Sequence, residues 1–341
     1  PPKWLMFGNT TLFTLTINDD SSTPLSSWSS SSLLSAAEAD SQAGEILRSA
    51  SHAGRFAILS GTKILLAGFN SSSTKTLLYD LTSSTISSSS VDMPHAQSYG
   101  TPATVDSTAY VFGGLDTTSN VPLKTMQLFS FSSGSWGSIS ETTLWPAARW
   151  GHSLVAQGRK LYLFGGLLST NKVTNDLWMF NLDTSSWTLL NTTTPITSRM
   201  GHSAVVVNNR MWIWGGKDAT GSTFFDDAWY YDLTTKKFNK MSTVSPTPSK
   251  RAWQVTDADG DYLYIYSGVT VSSATVKDLT DVWRMKITGD GPSITSFFAN
   301  DPNDGDAFYG VEDTITIVFD MPTNKEPVAS TSQIAALLSF S

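Results

Sequence analysis

The chain contains no cysteine, which excludes disulfides, thiolate nucleophiles and thiolate metal sites. Glutamate is nearly as scarce: Glu38, Glu45, Glu141, Glu312 and Glu326 are the whole supply. Histidine is limited to His52, His95, His152 and His202, and charged residues make up only 15% of 341 positions. The formal net charge of −7 leaves no basic surface for a phosphate backbone, so nucleic acid is not expected as a partner. No apolar run reaches membrane-spanning length. The chain does have an apolar content of 40%, enough for a large core, and an abundance of Ser and Thr that suits β-rich proteins.

The apolar residues fall in short runs rich in Val, Leu, Ile, Tyr and Trp, bounded by Gly, Asn, Asp and Ser. These are strand and turn signals. The runs repeat. Arg149-Trp150-Gly151-His152-Ser153 leads to Gly165-Gly166, then Asp176-Leu177-Trp178, then Trp187. Arg199-Met200-Gly201-His202-Ser203 leads to Gly215-Gly216, then Asp227-Ala228-Trp229, then Phe238. Arg251 leads to Ser267-Gly268 and Asp281-Val282-Trp283. Weaker copies contain Gly113-Gly114 with Trp136, Gly68 with Tyr79, and Gly8 with Trp28. A spacing this regular marks a repeat architecture. A pair seven residues apart recurs in Phe129/Trp136, Phe180/Trp187 and Tyr231/Phe238, and with an aliphatic end in Tyr79/Ile86.

The double glycine followed by this aromatic pair resembles the kelch repeat over residues 1–287. The resemblance implies an all-β fold, a six-bladed kelch-type β-propeller of four-stranded blades. Second strands are expected near 4–8, 63–68, 109–114, 161–166, 211–216 and 262–268. The first blade lacks its opening strand, so a segment beyond Arg284 is expected to complete the ring. Asn208-Asn209 and Asp259-Gly260 sit where hairpins should turn, and Trp178, Trp187, Trp229 and Trp283, which recur at equivalent repeat positions, should be largely buried between blades. Leu33–Leu47 is read as a short helix or a loop, and Gly216–Asp227 and Val269–Asp281 as long loop excursions. Residues 288–341 are read as a linker and partial β-sandwich-like module resembling the start of an Ig-like domain, with either the polypeptide continuing past Ser341 or this tail pairing with something else.

In kelch propellers an arginine before the first-strand glycine lies near the mouth of the central channel. Arg149, Arg199 and Arg251 match it and are the candidate ligand-binding residues, suited to an acidic ligand. The competing reading pairs each with the recurrent aspartate of its repeat, Asp176, Asp227 or Asp281. His152 and His202 hold equivalent positions, which suits buried hydrogen-bonding roles better than catalysis. No catalytic residues are assigned: the chain has no Cys for the Tyr–Cys cross-link of kelch oxidases, and no sialidase-type Asp boxes. Three sequons place candidate glycans at Asn9, Asn70 and Asn191. No cofactor is expected, except that Asp301, Asn303, Asp304 and Asp306 crowd enough oxygens to be candidate calcium ligands at the C-terminal junction. The resulting reading is a non-catalytic structural or interaction module of an extracellular or cell-surface protein. Its partners would be proteins, glycans or further copies of itself. The alternatives are a carbohydrate-binding or carbohydrate-active propeller, and an intracellular kelch adaptor for an acidic peptide.

Overall fold

The computed structural model describes residues 3–7, 11–16, 28–32, 56–67, 74, 76–89, 91–116, 118–191, 195–241, 247–259, 262–272, 275–279, 281–287, 294–300 and 314–319. The described residues are all-β, without a helix. They belong to two compact units, residues 1–259 with 264–284, and residues 260–263 with 285–341.

The expected second strands are present as Lys3–Phe7, Lys63–Ala67, Thr108–Phe112, Lys160–Leu168, Arg210–Trp214 and Tyr262–Tyr266. Each lies in its own antiparallel sheet, and we number these sheets one to six along the chain. Sheets two, three and five have four strands in simple up-and-down order. Sheet four adds the short strand Arg149–Trp150, and sheets one and six have three strands each. First strands of consecutive sheets lie side by side: Phe56–Ser60 next to Thr101–Val105, then Ser153–Gln157, Ser203–Val207 and Val255–Asp259.

Turn chemistry explains the hairpins. Asn208 and Asn209 both adopt left-handed backbone (φ 51° and 57°), as a tight primed turn requires and asparagine tolerates. The third-to-fourth strand turns explain the seven-residue aromatic spacing. Phe129 pairs across the strands with Trp136, Phe180 with Trp187, Tyr231 with Phe238 and Tyr79 with Ile86. Their rings meet, with centroids 5.3, 5.1 and 4.8 Å apart in the three aromatic pairs. A directly opposed aromatic pair is a favourable cross-strand contact.

The core lies between sheets. Leu161 and Leu163 pack with Ala103, Val105 and Phe112 of sheet three, whereas Tyr162 and Phe164 pack with Met211 and Ile213 of sheet five. Both faces of that strand are therefore buried, which is why its sequence is continuously apolar instead of alternating. Full burial of each such side chain contributes about 1.5–3 kcal/mol.

Two features depart from the sequence reading. Val269–Asp281 contains a hairpin, Val269–Ser272 with Thr275–Asp278, because its consecutive β-branched residues Val269, Thr270 and Val271, then Thr275 and Val276, favour strand over loop. Trp178 and Trp187 are buried as expected, but Trp229 and Trp283 are only partly buried. The described strands beyond Arg284, Ile294–Asn300 and Thr314–Phe319, pair with each other. That hairpin is what is described of the C-terminal module. The Leu33–Leu47 segment, the Asp259-Gly260 turn beyond Asp259, Asn9, Asn70 and the calcium candidates Asp301, Asn303, Asp304 and Asp306 lie outside the described residues. Asn191 ends the strand Ser186–Asn191.

Candidate functional site

Arg149, Arg199 and Arg251 are almost fully buried, at 1%, 0% and 0% exposure. Each forms a two-pronged pair with the aspartate of its own repeat. Arg149 donates to Asp176 at 2.7 and 2.9 Å, Arg199 to Asp227 at 2.6 and 3.0 Å, and Arg251 to Asp281 at 2.6 and 2.8 Å. The same guanidinium also donates to a main-chain carbonyl: Gly165 for Arg149, Gly215 for Arg199 and Ser267 for Arg251. Each aspartate accepts a further bond from the indole of the tryptophan two residues on, Trp178, Trp229 or Trp283.

The main chain of each arginine reaches back to the preceding sheet. Its carbonyl accepts from Gly114, Gly166 or Gly216, and its amide donates to Leu123, Thr174 or Phe225. Each arginine thus ties two consecutive sheets together. This explains the double glycine. Gly165 and Gly166 both have positive φ (65° and 100°), and a Cβ on Gly165 would lie 2.9 Å from the Arg199 carbonyl oxygen. Only glycine permits this backbone and this approach.

The histidines follow the same logic. His202 Nε2 lies 2.9 Å from Ser153 Oγ of the preceding sheet. In the next repeat Gln254 takes its place, donating to Ser203 Oγ at 3.0 Å and to the Trp214 carbonyl at 2.8 Å. Burial, then the positive charge of Arg149, pushes His152 down to about 3; burial and Arg199 do the same to His202. Both are neutral in the fold. Burial raises the carboxyls of Asp176 and Asp227, but the hydrogen bonds and charge of Arg149 and Arg199 outweigh it and hold them below the ordinary value. At Asp281 the bond from Arg251 leads, and the carboxyl is likewise lowered.

These shifts set a pH dependence. A histidine whose folded value is depressed stabilises the fold fully above the unfolded value of about 6.5. That stability is lost as pH falls from about 6.5 toward 3, because the unfolded chain binds the protons first. The aspartates act in the same direction at lower pH. The urea midpoint is therefore expected to fall steadily from pH 7 to pH 4.5, with each histidine costing up to about 1.4 kcal/mol per pH unit. A flat or rising midpoint over this interval would contradict the buried neutral assignment.

With its charges engaged, the arginine–aspartate frame offers little for chemistry. Among the described residues no group of three or more His, Cys, Asp and Glu gathers as a metal site. A cleft of about 430 Å³ is lined by Gln157, Arg159, Lys160, Tyr162, Asp183 and Asn209. Arg159 in it is already bridged to Asp183 and to Asp106.

The sequence reading missed an aromatic cluster. Tyr99, Trp150 and Trp253 are each partly exposed. Trp150 and Trp253 stack (centroids 5.8 Å, planes 14° apart), and Tyr99 lies 5.3 Å from Trp150 and 5.8 Å from Trp253. Tyr99 and Trp253 both have left-handed backbone, φ 55° and 62°. The equivalent residues of the two repeats between them are Gly151 and Gly201, at φ 64° and 63°. The Trp253 amide donates to the Gly201 carbonyl, the Gly201 amide donates to the Gly151 carbonyl, and the Trp253 indole lies against both glycines. The available signal was a tryptophan two residues after Arg251, where the other arginine repeats carry glycine.

Consecutive antiparallel sheets, strapped by an Arg–Asp pair at a double glycine and packed on paired aromatics, define a repeat protein built for rigidity. A family model described as the KLHDC2/KLHL20/DRC7 Kelch-repeats domain matches residues 100–290, more than half of the chain. The chain belongs to the kelch-repeat family. It is 28% identical over 144 residues to acyl-CoA-binding domain-containing protein 5 of Arabidopsis thaliana, covering 42% of this chain and 22% of that protein. It is 41% identical over 81 residues to multiple epidermal growth factor-like domains protein 8 of Homo sapiens, covering 24% of this chain and 3% of that one. It is 24% identical over 180 residues to Kelch-like protein 41b of Danio rerio, covering 51% of this chain and 28% of that one. The chain thus spans less than a third of each of these relatives.

Proposed function

We propose that this chain is a non-catalytic protein-interaction module, six kelch blades closing into a ring, that engages its partner through Tyr99, Trp150 and Trp253. The observation that carries the reading is the cluster itself. Two large aromatic side chains are held in left-handed backbone, where neighbouring repeats use glycine. Such a conformation costs about 1–3 kcal/mol and concentrates at functional sites. Partly exposed tyrosine and tryptophan rings are the residue types that anchor protein interfaces. The arginines, by contrast, are engaged within the frame, so recognition of an acidic ligand by Arg149, Arg199 or Arg251 is not part of the proposal.

The reading keeps residues 1–287 as the binding domain and 288–341 as a separate β-rich module. It places the protein outside the cell or on its surface, on the strength of the sequons at Asn9, Asn70 and Asn191. Intact mass of native material decides the setting. Glycan on at least one of the three supports it, and three unmodified sites favour the intracellular adaptor.

Binding is tested by recovering partners from source extract with the wild-type chain and titrating the purified partner against a Tyr99→Ala/Trp150→Ala variant. The variant is expected to bind at least tenfold more weakly, with far-UV circular dichroism unchanged. Undiminished binding would remove the aromatic cluster from the interface. Turnover of a glycan substrate by the wild-type chain would replace the proposal with the carbohydrate-active reading.

A further inference from the structure

The repeat that opens at Gln97 breaks the Arg–Asp–Trp rule while keeping its backbone. Leu115 pairs with Ser98 and Asp116 with Gln97, as Leu167 pairs with Trp150 and Leu168 with Arg149. The Gly113 amide donates to the Thr125 carbonyl at 3.0 Å, as Gly215 does to Asp227 at 3.3 Å and Ser267 to Asp281 at 3.2 Å. Phe112 pairs with Met126 as Phe164 pairs with Leu177. By register, Gln97 stands where the later repeats have arginine, Thr125 where they have aspartate, and Gln127 where Trp178 stands in the next repeat.

All three replacements are shorter than what they replace, and all are polar. Gln97 is 1% exposed and Gln127 is 0% exposed. Gln127 Oε1 accepts from the His95 amide at 3.1 Å. Gln97 Oε1, Gln97 Nε2, Gln127 Nε2 and Thr125 Oγ1 are buried without a hydrogen-bond partner among the described residues. Most buried polar atoms in folded proteins find a partner, so four unmet ones at one repeat position call for one, and the usual remedy is ordered water. A cation is disfavoured there, since Thr125 supplies no counter-charge to the place the guanidinium takes elsewhere.

We infer that Gln97, Thr125 and Gln127 form a buried hydration site, in which ordered water takes the place of the guanidinium and carboxylate of the following repeats. Water suits the inventory because it both donates and accepts. It can donate to Gln97 Oε1 and Thr125 Oγ1 and accept from the amide nitrogens of Gln97 and Gln127. The joint leading into sheet three is then bridged by solvent instead of an ion pair.

Two measurements on the full chain test this. A crystal structure at high resolution is expected to show ordered density bonded to at least two of the three side chains. Direct amide–amide bonding of Gln97 to Gln127, with no density between them, would overturn the inference. In parallel, Gln97→Arg alone should lower the melting temperature, because it buries a charge without its carboxylate. Gln97→Arg with Thr125→Asp should restore the strap, displace the water and melt at least about 5 °C above that single variant. A double variant melting no higher than Gln97→Arg would show that the two positions do not share one space.

Discussion

Arg199→Ala is expected to destabilise the fold by about 3–5 kcal/mol, the usual cost of removing one partner of a buried ion pair. The loss has several sources. Asp227 would keep its charge with its two guanidinium bonds gone and the Trp229 indole bond left. The carbonyls of Thr197 and Gly215 would lose the donors Nε and Nη1. Phe225 would lose the guanidinium that lies 4.3 Å from its ring centre. Arg159→Ala is the control. Arg159 also pairs with two aspartates, but at 54% side-chain exposure, so water screens both pairs and its removal should barely move the midpoint. Arg251→Ala should fall between them, because the Asp281 side chain is 40% exposed and water screens the abandoned carboxylate. Urea denaturation of the three variants checks the order. Equal midpoints for Arg199→Ala and Arg159→Ala would deny the strap.

Trp187→Ala should destabilise by a similar amount, about 3–5 kcal/mol, through the cavity it leaves. The ring is 3% exposed and touches both sides of the joint between sheets three and four. Its centroid lies 5.1 Å from Phe180 of its own sheet and 5.4 Å from Phe112 of the preceding one. Trp229→Ala provides the comparison, since that ring is only partly buried and should cost less. A loss below about 1 kcal/mol for Trp187→Ala, read from the same denaturation curves, would mean that the aromatic pair does not carry the joint.

The sequence revealed these groups because they recur. Phe180 and Trp187 are seven residues apart in a repeating pattern, and a fixed turn length makes that spacing a cross-strand pair. Arg199 and Asp227 recur together, and only a shared partnership explains a joint recurrence three times over. What stayed hidden is what departs from the repeat. Gln97 and Thr125 carry no charge to mark them, and their equivalence to Arg149 and Asp176 emerges from register alone. Tyr99 and Trp253 look like lost glycines in the sequence. Their rings meet only because residues separated by some three repeats come together, a long-range contact that no local pattern encodes. The half-burial of Trp229 and Trp283 was missed for a related reason. Recurrence identifies a structural position, but how much water reaches it depends on the neighbouring segments.

The central claim is that the recurrent arginines and aspartates hold sheets together and leave recognition to other residues. A double-mutant cycle on unfolding free energy, with Arg199→Met, Asp227→Asn and both together, measures it most directly. The account predicts two strongly destabilised single variants and a coupling energy of about 1–3 kcal/mol between the positions. A coupling near zero, with unfolding midpoints unchanged in both single variants, would contradict it and return Arg199 to the list of groups free to bind a ligand.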